Sequence, residues 1–207
     1  LIGGAFGSGK IQFINNVVKQ LIENNSPEEI KFIFVDCDKL YLINFVNIQY
    51  MNEPVITESK KATKMFKWLE AEQERRFDFL KKEMLRTTED YNQKYNQNIF
   101  PKIIVIVCEL ANLKKEYSKI EMIIVKIMQY SKYSGITLIL ETQKSDSKNL
   151  TGMIRANIGS RAVFKTEDKR ASRFLLYQNG AEELNGKEFL FMSAESSKPA
   201  KIQCDYF

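Results

Sequence analysis

The chain has 207 residues, of which 44% are hydrophobic and 28% charged, a composition typical of one sizeable globular domain. It contains no histidine, which excludes a catalytic Ser–His pair and leaves only unusual ligand sets for zinc. The formal net charge of +5 is compatible with an anionic partner, but lysines scattered over solvated surfaces give the same balance.

Short apolar runs rich in β-branched residues alternate with longer amphipathic segments along the chain. This alternation is typical of parallel βαβ units and predicts an α/β fold. The longest apolar runs have the length of strands, whereas about 20 apolar residues are needed to span a bilayer, so we expect no membrane contact from this domain. Strands are expected at residues 32–36, 103–107, 137–140, 161–164 and 188–192.

Two helices are predicted from the spacing of apolar residues. One has an apolar stripe with a period near 3.6 residues over residues 13–22, directly after a glycine-rich loop. The other is expected over residues 59–85, where apolar residues share one side and the opposite side is densely charged. The polar, Asn-rich segment 87–101 is expected to be a loop or a short-helix connection.

The stretch GAFGSGKI at residues 4–11 follows the pattern G-x-x-x-x-G-K-[ST] up to its last position. In such a loop the backbone N–H groups converge on a phosphate, the helix N-terminus adds positive potential, and the lysine supplies a point charge. The last position normally offers a hydroxyl to Mg²⁺, which the alkyl side chain of Ile11 cannot do. The residues predicted to bind nucleotide are Gly4, Phe6, Gly7, Ser8, Gly9, Lys10 and Ile11.

A second part of the site is predicted at the end of the apolar strand in PKIIVIVCEL, residues 101–110. An aspartate that supports the metal is typical there, but Cys108 occupies its position, and a thiol is a poor ligand for Mg²⁺. Glu109 remains as the candidate base that polarises the attacking water, and Gln143 follows the next strand, where its amide could orient that water. We therefore expect ATP as a cofactor, no metal-binding side chain, and a doubtful role for Mg²⁺.

Several further motifs occur together along the chain, at Gly4 to Lys10, Glu74 to Phe77, Tyr91 and Asn92, Glu109 to Ala111 with Leu113, Ser134 to Gln143, Thr151 to Arg161, and Gly180 to Lys187. In this order they resemble the motor domain of the FtsK/SpoIIIE DNA translocases, and the resemblance covers essentially the whole chain. It implies a RecA-like P-loop NTPase fold with a mostly parallel central sheet flanked by helices. We expect residues 1–207 to form a single motor domain that is a fragment of a longer chain.

The resemblance also implies roles and partners, because family members form hexameric rings around double-stranded DNA and hydrolyse ATP between subunits. It makes Lys10 the group that grips the β- and γ-phosphates, Glu109 the catalytic base and Gln143 the sensor. Arg161 becomes the arginine finger that reaches a neighbour's nucleotide, although an ordinary charge at a strand edge explains it equally well. Lysines in the loops that face the pore are candidate DNA contacts, with plain solvated charge as the equal alternative: Lys114, Lys115, Lys119, Lys144 and Lys148.

Several positions depart from the family pattern. Ile11 and Cys108 remove both oxygen ligands that support the metal, Glu141 replaces a small residue, and Ala171 replaces an aspartate. We therefore expect a nucleotide-binding motor domain associated with translocation of double-stranded DNA, with impaired ATP hydrolysis. The alternatives are a fully active ATP-driven DNA translocase subunit and a degenerate structural module of a conjugation or type VII secretion ring. We expect the domain to lie in the cytoplasm, either by itself or as the cytoplasmic domain of a membrane-anchored protein.

Overall fold

The computed structural model describes residues 1–42, 45, 48–51, 53–196 and 198–204, without the side chains of residues 114–119. These residues divide into two compact units. The first unit contains residues 1–20, 108–111 and those from 140 onward, and the second contains residues 21–107 and 112–139.

The strands are β1 (Ile2–Gly3), β2 (Ile30–Asp36), β3 (Lys102–Cys108), β4 (Ile136–Thr142), β5 (Arg161–Phe164), β6 (Glu188–Met192) and β7 (Ala200–Gln203). They form one mixed, mostly parallel sheet in the order β2-β3-β4-β1-β5-β6-β7. The expected fold class is therefore confirmed. All five predicted strands are present, and β5 and β6 have the predicted bounds.

In the first unit, β1 pairs in parallel with both β4 and β5, and β6 and β7 continue the sheet in antiparallel pairing. Ile2 lies between Glu141 of β4 and Ala162 of β5, so the strand that precedes the glycine loop occupies the middle of this unit's sheet. Parallel neighbours end at the same edge of a sheet, so the loops that follow β1, β4 and β5 lie at one edge.

Aromatic side chains and short helices cover this unit's sheet. The rings of Phe164 and Phe189 stack with centroids 5.1 Å apart, and Phe13 of the first helix packs against both rings. This contact holds the start of that helix on β5 and β6, as its apolar stripe predicts. The helical elements are α1 (Lys10–Asn24, which continues into the second unit), α5 (Gly152–Ala156) and α6 (Lys169–Leu176), with a 3₁₀-helix at Ala181–Glu183.

The helices of the second unit are α2 (Ser59–Lys82), α3 (Thr88–Tyr95) and α4 (Tyr117–Ser134), and a 3₁₀-helix at Leu110–Glu116 precedes α4. The long helix α2 packs against α4. The predicted helix 59–85 is too long by three residues, because Met84 adopts a left-handed backbone conformation with φ 52° and the Leu85 N–H bonds back to the Leu80 carbonyl oxygen. This bond closes the helix end and turns Leu85 into the cluster of Leu80, Tyr91 and Phe100.

A buried arginine organises the interior of the second unit. Arg76 of α2 donates hydrogen bonds to the Ser134 carbonyl at 2.7 Å, the Pro101 carbonyl at 3.0 Å and the Glu72 carboxylate at 2.8 Å. Its guanidinium also lies 5.5 Å from the ring centre of Phe100. One side chain therefore connects α2 to the end of α4 and to the segment that leads into β3.

Candidate nucleotide-binding site

The glycine loop connects β1 to α1 and needs its first glycine for steric reasons. Gly4 has φ 148°, and a Cβ atom there would lie 2.9 Å from the Cβ of Phe164 and 3.1 Å from the carbonyl oxygen of Lys165. Close by, the Ala5 N–H donates to the same carbonyl at 2.8 Å, which fixes the loop against the end of β5. A side chain at residue 4 would therefore push the loop away from the strand on which it rests.

The remaining predicted loop residues lie around the N-terminus of α1. Gly7 and Gly9 have φ values of 70° and 96°, conformations that glycine adopts without strain. Phe6 is 83% exposed, and Ser8 is buried with no hydrogen bond to its hydroxyl among the described residues. Ile11 follows Lys10 in the first turn of α1. The loop thus presents a backbone turn and a helix start of the kind that binds phosphate.

Lys10 is buried within this loop. Its Nζ donates hydrogen bonds to the carbonyl oxygens of Gly4 at 2.9 Å and Ala5 at 2.8 Å. It also lies 3.6 Å from Oε1 of Glu141, an ion-pair distance that is too long for a hydrogen bond. Burial lowers the pKa of Lys10 from its ordinary value, while the carboxylates of Glu141 and Glu109 raise it. A bound phosphate would compete for an ammonium group that the loop and Glu141 hold.

Glu109 lies directly after β3 and is held against the end of β4. Its backbone is left-handed with φ 49°, which turns its carboxylate back toward the sheet edge. Oε1 accepts hydrogen bonds from the Thr142 hydroxyl at 3.2 Å and the Ala111 N–H at 3.2 Å, and Oε2 accepts one from the Gln143 N–H at 3.0 Å. The structure therefore brings Glu109 next to the backbone of Gln143, and their roles as base and sensor stay predictions.

Glu141 is a site residue that sequence reasoning did not select. It is fully buried on β4, and its Oε2 accepts a hydrogen bond from the Glu109 N–H at 2.8 Å. Burial raises the pKa of Glu141 from 4.5 to about 7; the Glu109 N–H and Lys10 lower it, and the Glu109 carboxylate raises it. The signal in the sequence was an acidic residue inside the apolar run TLILET, because an unpartnered charge is rarely buried in a strand.

The residues present fit Mg²⁺ only in part. Neither the alkyl side chain of Ile11 nor the buried thiol of Cys108 is an oxygen ligand. Within the described ranges, no three His, Cys, Asp or Glu side chains are grouped to hold a metal by themselves. Oε1 of Glu141, however, is a buried carboxylate oxygen that accepts no hydrogen bond from the described part of the chain, and carboxylates are the side chains through which proteins usually bind Mg²⁺.

Comparison with known proteins identifies the family to which the chain belongs. A family model described as the FtsK/SpoIIIE family matches residues 1–184. The chain belongs to the FtsK/SpoIIIE family. It is 36% identical over 215 residues to the DNA translocase FtsK of Leptospira interrogans, and 33% identical over 221 residues to that of Mycobacterium tuberculosis. All of the chain is covered in both comparisons, but it spans only 23% and 27% of the length of these relatives.

Solved structures place the fold among P-loop ATPase motor domains. The conjugation coupling protein TcpA of pCW3, in a monomer form with ATPγS, has a TM-score of 0.86 and 26% identity, covering the whole chain and 60% of TcpA. The cytoplasmic domain of the type VII secretion ATPase EccC from Thermomonospora curvata has a TM-score of 0.82 and 19% identity, covering 99% of this chain and 25% of that one. The second likeness concerns the fold alone.

An open cleft of about 710 Å³ adjoins the glycine loop in this FtsK/SpoIIIE domain. Ala5, Gln143 and the loop after β4 line it, together with residues 166–168 and, from α6, Arg170, Ala171, Arg173 and Phe174. Lys144, predicted to contact DNA, also lines this cleft. Of the glycine loop, only Ala5 lines this cleft.

Arg161 lies at the other end of β5 from the residues that contact the glycine loop, Phe164 and Lys165. Only 3% of its surface is exposed, and its guanidinium donates to the carbonyl oxygens of Leu175 at 2.9 Å and Arg155 at 2.6 Å. A third bond, of 3.2 Å, reaches the Tyr177 hydroxyl. Within one chain Arg161 therefore supports α6 and the end of α5, and its action on a neighbour's nucleotide stays a prediction.

The lysines predicted to contact DNA divide into two groups. Lys144 and Lys148 are exposed in the loop after β4. Asp146 orders this loop by accepting hydrogen bonds from the N–H groups of Lys148 and Asn149 at 2.8 and 3.0 Å. The side chains of Lys114, Lys115 and Lys119 lie outside the described residues.

Among the described residues, no helix is both long and apolar enough to cross a membrane.

Proposed function

We propose that this domain binds ATP and takes part in moving double-stranded DNA, with slower hydrolysis than a motor that has a complete metal site. The observation that carries the proposal is the buried Lys10 in a glycine loop, beside a Glu109 carboxylate that is hydrogen-bonded to the end of β4. A P-loop lysine and a residue that positions water are the parts that phosphoryl transfer needs from the protein, apart from the metal.

Slow hydrolysis is proposed because both positions that ordinarily support Mg²⁺ have changed. Ile11 offers no hydroxyl and Cys108 offers a buried thiol. Each lost stabilisation of about 1.4 kcal/mol lowers the rate tenfold, and a metal contributes several kcal/mol at the transition state. Mg²⁺ is therefore held less tightly than in a complete site, and turnover falls by orders of magnitude.

The same proposal includes three further points: DNA is the partner, the assembly is a ring, and the chain is one motor domain. Support comes from the FtsK translocases that cover the whole chain at 33% to 36% identity. Because these relatives are DNA translocases, we favour DNA over protein as the polymer. The likeness to TcpA, a conjugation coupling protein, is compatible with a role in conjugation. We place the domain in the cytoplasm, within a longer protein that a membrane segment could anchor.

An ATPase assay on the assembled protein, with and without duplex DNA, tests the proposed turnover. We expect a rate below about 1 per second, under the common enzyme range of about 1 to 10³ per second. The double variant Ile11→Ser with Cys108→Asp should raise the rate, because it restores the hydroxyl and the carboxylate that ordinarily support Mg²⁺. Motor-like turnover by the unmodified protein would refute impaired hydrolysis and favour the fully active translocase.

The salt dependence of duplex binding tests the DNA contacts. Replacing Lys144 and Lys148 with Ala should flatten the log–log slope by up to about two units, since each neutralised phosphate contributes roughly −0.9. The matched control replaces Lys187 and Lys198, which are exposed in the same unit but lie outside the loop after β4. Equal slopes for the two double variants would remove Lys144 and Lys148 from the interface.

A further inference from the structure

The carboxylate of Glu141 lies close to Cys108, the position where the carboxylate that normally supports Mg²⁺ is missing. Its Oε2 accepts the N–H of Glu109, the residue that follows Cys108 at the end of β3. Its backbone pairs with Ile2, just before the glycine loop. The carboxylate therefore lies between the end of β3, which normally supplies an acid to the metal, and Lys10, which precedes the position that normally supplies a hydroxyl.

The summed charge of these side chains equals that of a site that has an aspartate at position 108. When all three groups are ionised, Lys10, Glu109 and Glu141 carry charges of +1, −1 and −1, which sum to −1. An aspartate at position 108 with an uncharged residue at position 141 would give the same sum. The acid missing from β3 is thus present on β4, one strand away.

One oxygen of Glu141 lacks a donor. Oε1 accepts no hydrogen bond from the described residues, and the nearest cation is the Lys10 ammonium at 3.6 Å. A buried carboxylate is costly unless a positive charge or hydrogen bonds compensate it. When phosphates bind in the loop they draw on the Lys10 ammonium, which leaves Oε1 in need of another cation. The divalent ion that accompanies a nucleotide supplies that charge.

We propose that Glu141 provides the carboxylate that supports the Mg²⁺ of a bound nucleotide, replacing from β4 the acid missing at Cys108. A single carboxylate suffices chemically, because Mg²⁺ keeps several waters and is usually bound through one or two carboxylates plus the substrate phosphates. The inference rests on the proposed function, since it requires the domain to bind nucleotide. With Glu141 in this role, the proposed slow turnover would depend on Mg²⁺.

Calorimetry of ADP and ATPγS binding, in EDTA and in Mg²⁺, tests this role without relying on hydrolysis. Mg²⁺ should tighten nucleotide binding by the unmodified protein, and Glu141→Gln should reduce that enhancement by about 10- to 100-fold, the usual effect of losing a group that orients a metal site. The affinity in EDTA should not fall in the variant. The matched control is Glu188→Gln, which removes a carboxylate paired with Lys201 on β6 and β7 of the same unit.

A rescue variant and a spectroscopic measurement complete the test. Adding Cys108→Asp to Glu141→Gln should restore the Mg²⁺ enhancement, because it returns the acid to β3. With Mn²⁺ in place of Mg²⁺, electron paramagnetic resonance should detect less protein-bound metal in the ADP complex of Glu141→Gln than in that of Glu188→Gln.

The outcomes separate this inference from the proposed function. Equal Mg²⁺ enhancement in Glu141→Gln and in the unmodified protein would overturn the role of Glu141 and leave nucleotide binding intact. An unmodified protein whose nucleotide affinity does not change with Mg²⁺ would also overturn it, and this measurement needs no variant to fold. An unmodified protein that binds neither nucleotide in either buffer would overturn the proposed function and this inference with it.

Discussion

Glu141→Gln should make the stability of the protein less sensitive to pH, and the effect can be worked out from the burial of this carboxyl. The pKa of Glu141 rises from 4.5 to about 7 in the folded protein. The folded state therefore keeps a proton that the unfolded state releases near pH 4.5. This stability is fully present below about pH 4.5 and is lost as the pH rises through 7.

The size of the effect follows from the size of the shift. A shift from 4.5 to about 7 corresponds to about 3 kcal/mol at 1.36 kcal/mol per unit. Glutamine resembles the protonated acid and cannot ionise. The free energy of unfolding of Glu141→Gln, relative to the unmodified protein, should therefore increase by about 2 to 3 kcal/mol between pH 5 and pH 8.

Urea denaturation at several pH values, in EDTA and without nucleotide, measures this difference directly. The control is Glu188→Gln, because the Glu188 carboxylate forms an ion pair with Lys201 and its pKa is lowered. Its relative stability should show no increase with pH. A difference between Glu141→Gln and the unmodified protein that stays constant from pH 5 to pH 8 would refute the argument that burial controls this carboxyl.

Three further substitutions test the roles that packing assigns. Arg76→Ala should lower the free energy of unfolding by about 3 to 5 kcal/mol, because it removes the donor of a buried hydrogen-bond network. The control Arg75→Ala, at an exposed arginine, should lower it by at most about 1 kcal/mol in the same denaturation assay. Equal losses in the two variants would contradict the role of the network. Arg161→Ala should lower the melting temperature, since it removes the Arg161 donor from the buried Leu175 carbonyl. An unchanged melting temperature would contradict this structural role. Gly4→Ala should weaken ADP binding and lower stability more than Gly7→Ala, because a Cβ atom added at Gly7 meets no neighbouring atom. Similar effects of the two variants would mean that the strain of a positive φ outweighs the steric clash with β5.

The parts of the fold that local sequence patterns encode were predicted well. The apolar runs that form β5 and β6 are bounded by polar and turn-forming residues, and their predicted bounds are those of the structure. The missed strands, β1 and β7, have two and four residues. Runs of that length show no period, and they become strands only because neighbouring strands satisfy their backbone groups. The end of α2 was missed for a related reason, because a left-handed Met84 has no sequence signal.

The sequence by itself determined the glycine loop, Lys10 and Glu109, because each of these features depends on residues that are adjacent in the chain. A phosphate loop is read from its spacing, and a glutamate at the end of an apolar strand is read from its position. Tertiary structure decided what surrounds them. Glu141 is 32 residues from Glu109 and reaches its N–H only because β4 stands between β3 and β1 in the sheet. Arg161 is buried because α6 folds back and offers the carbonyl of Leu175, 14 residues away. Strand order and burial arise from long-range packing, so the charge balance of the site could not be read from the motifs alone.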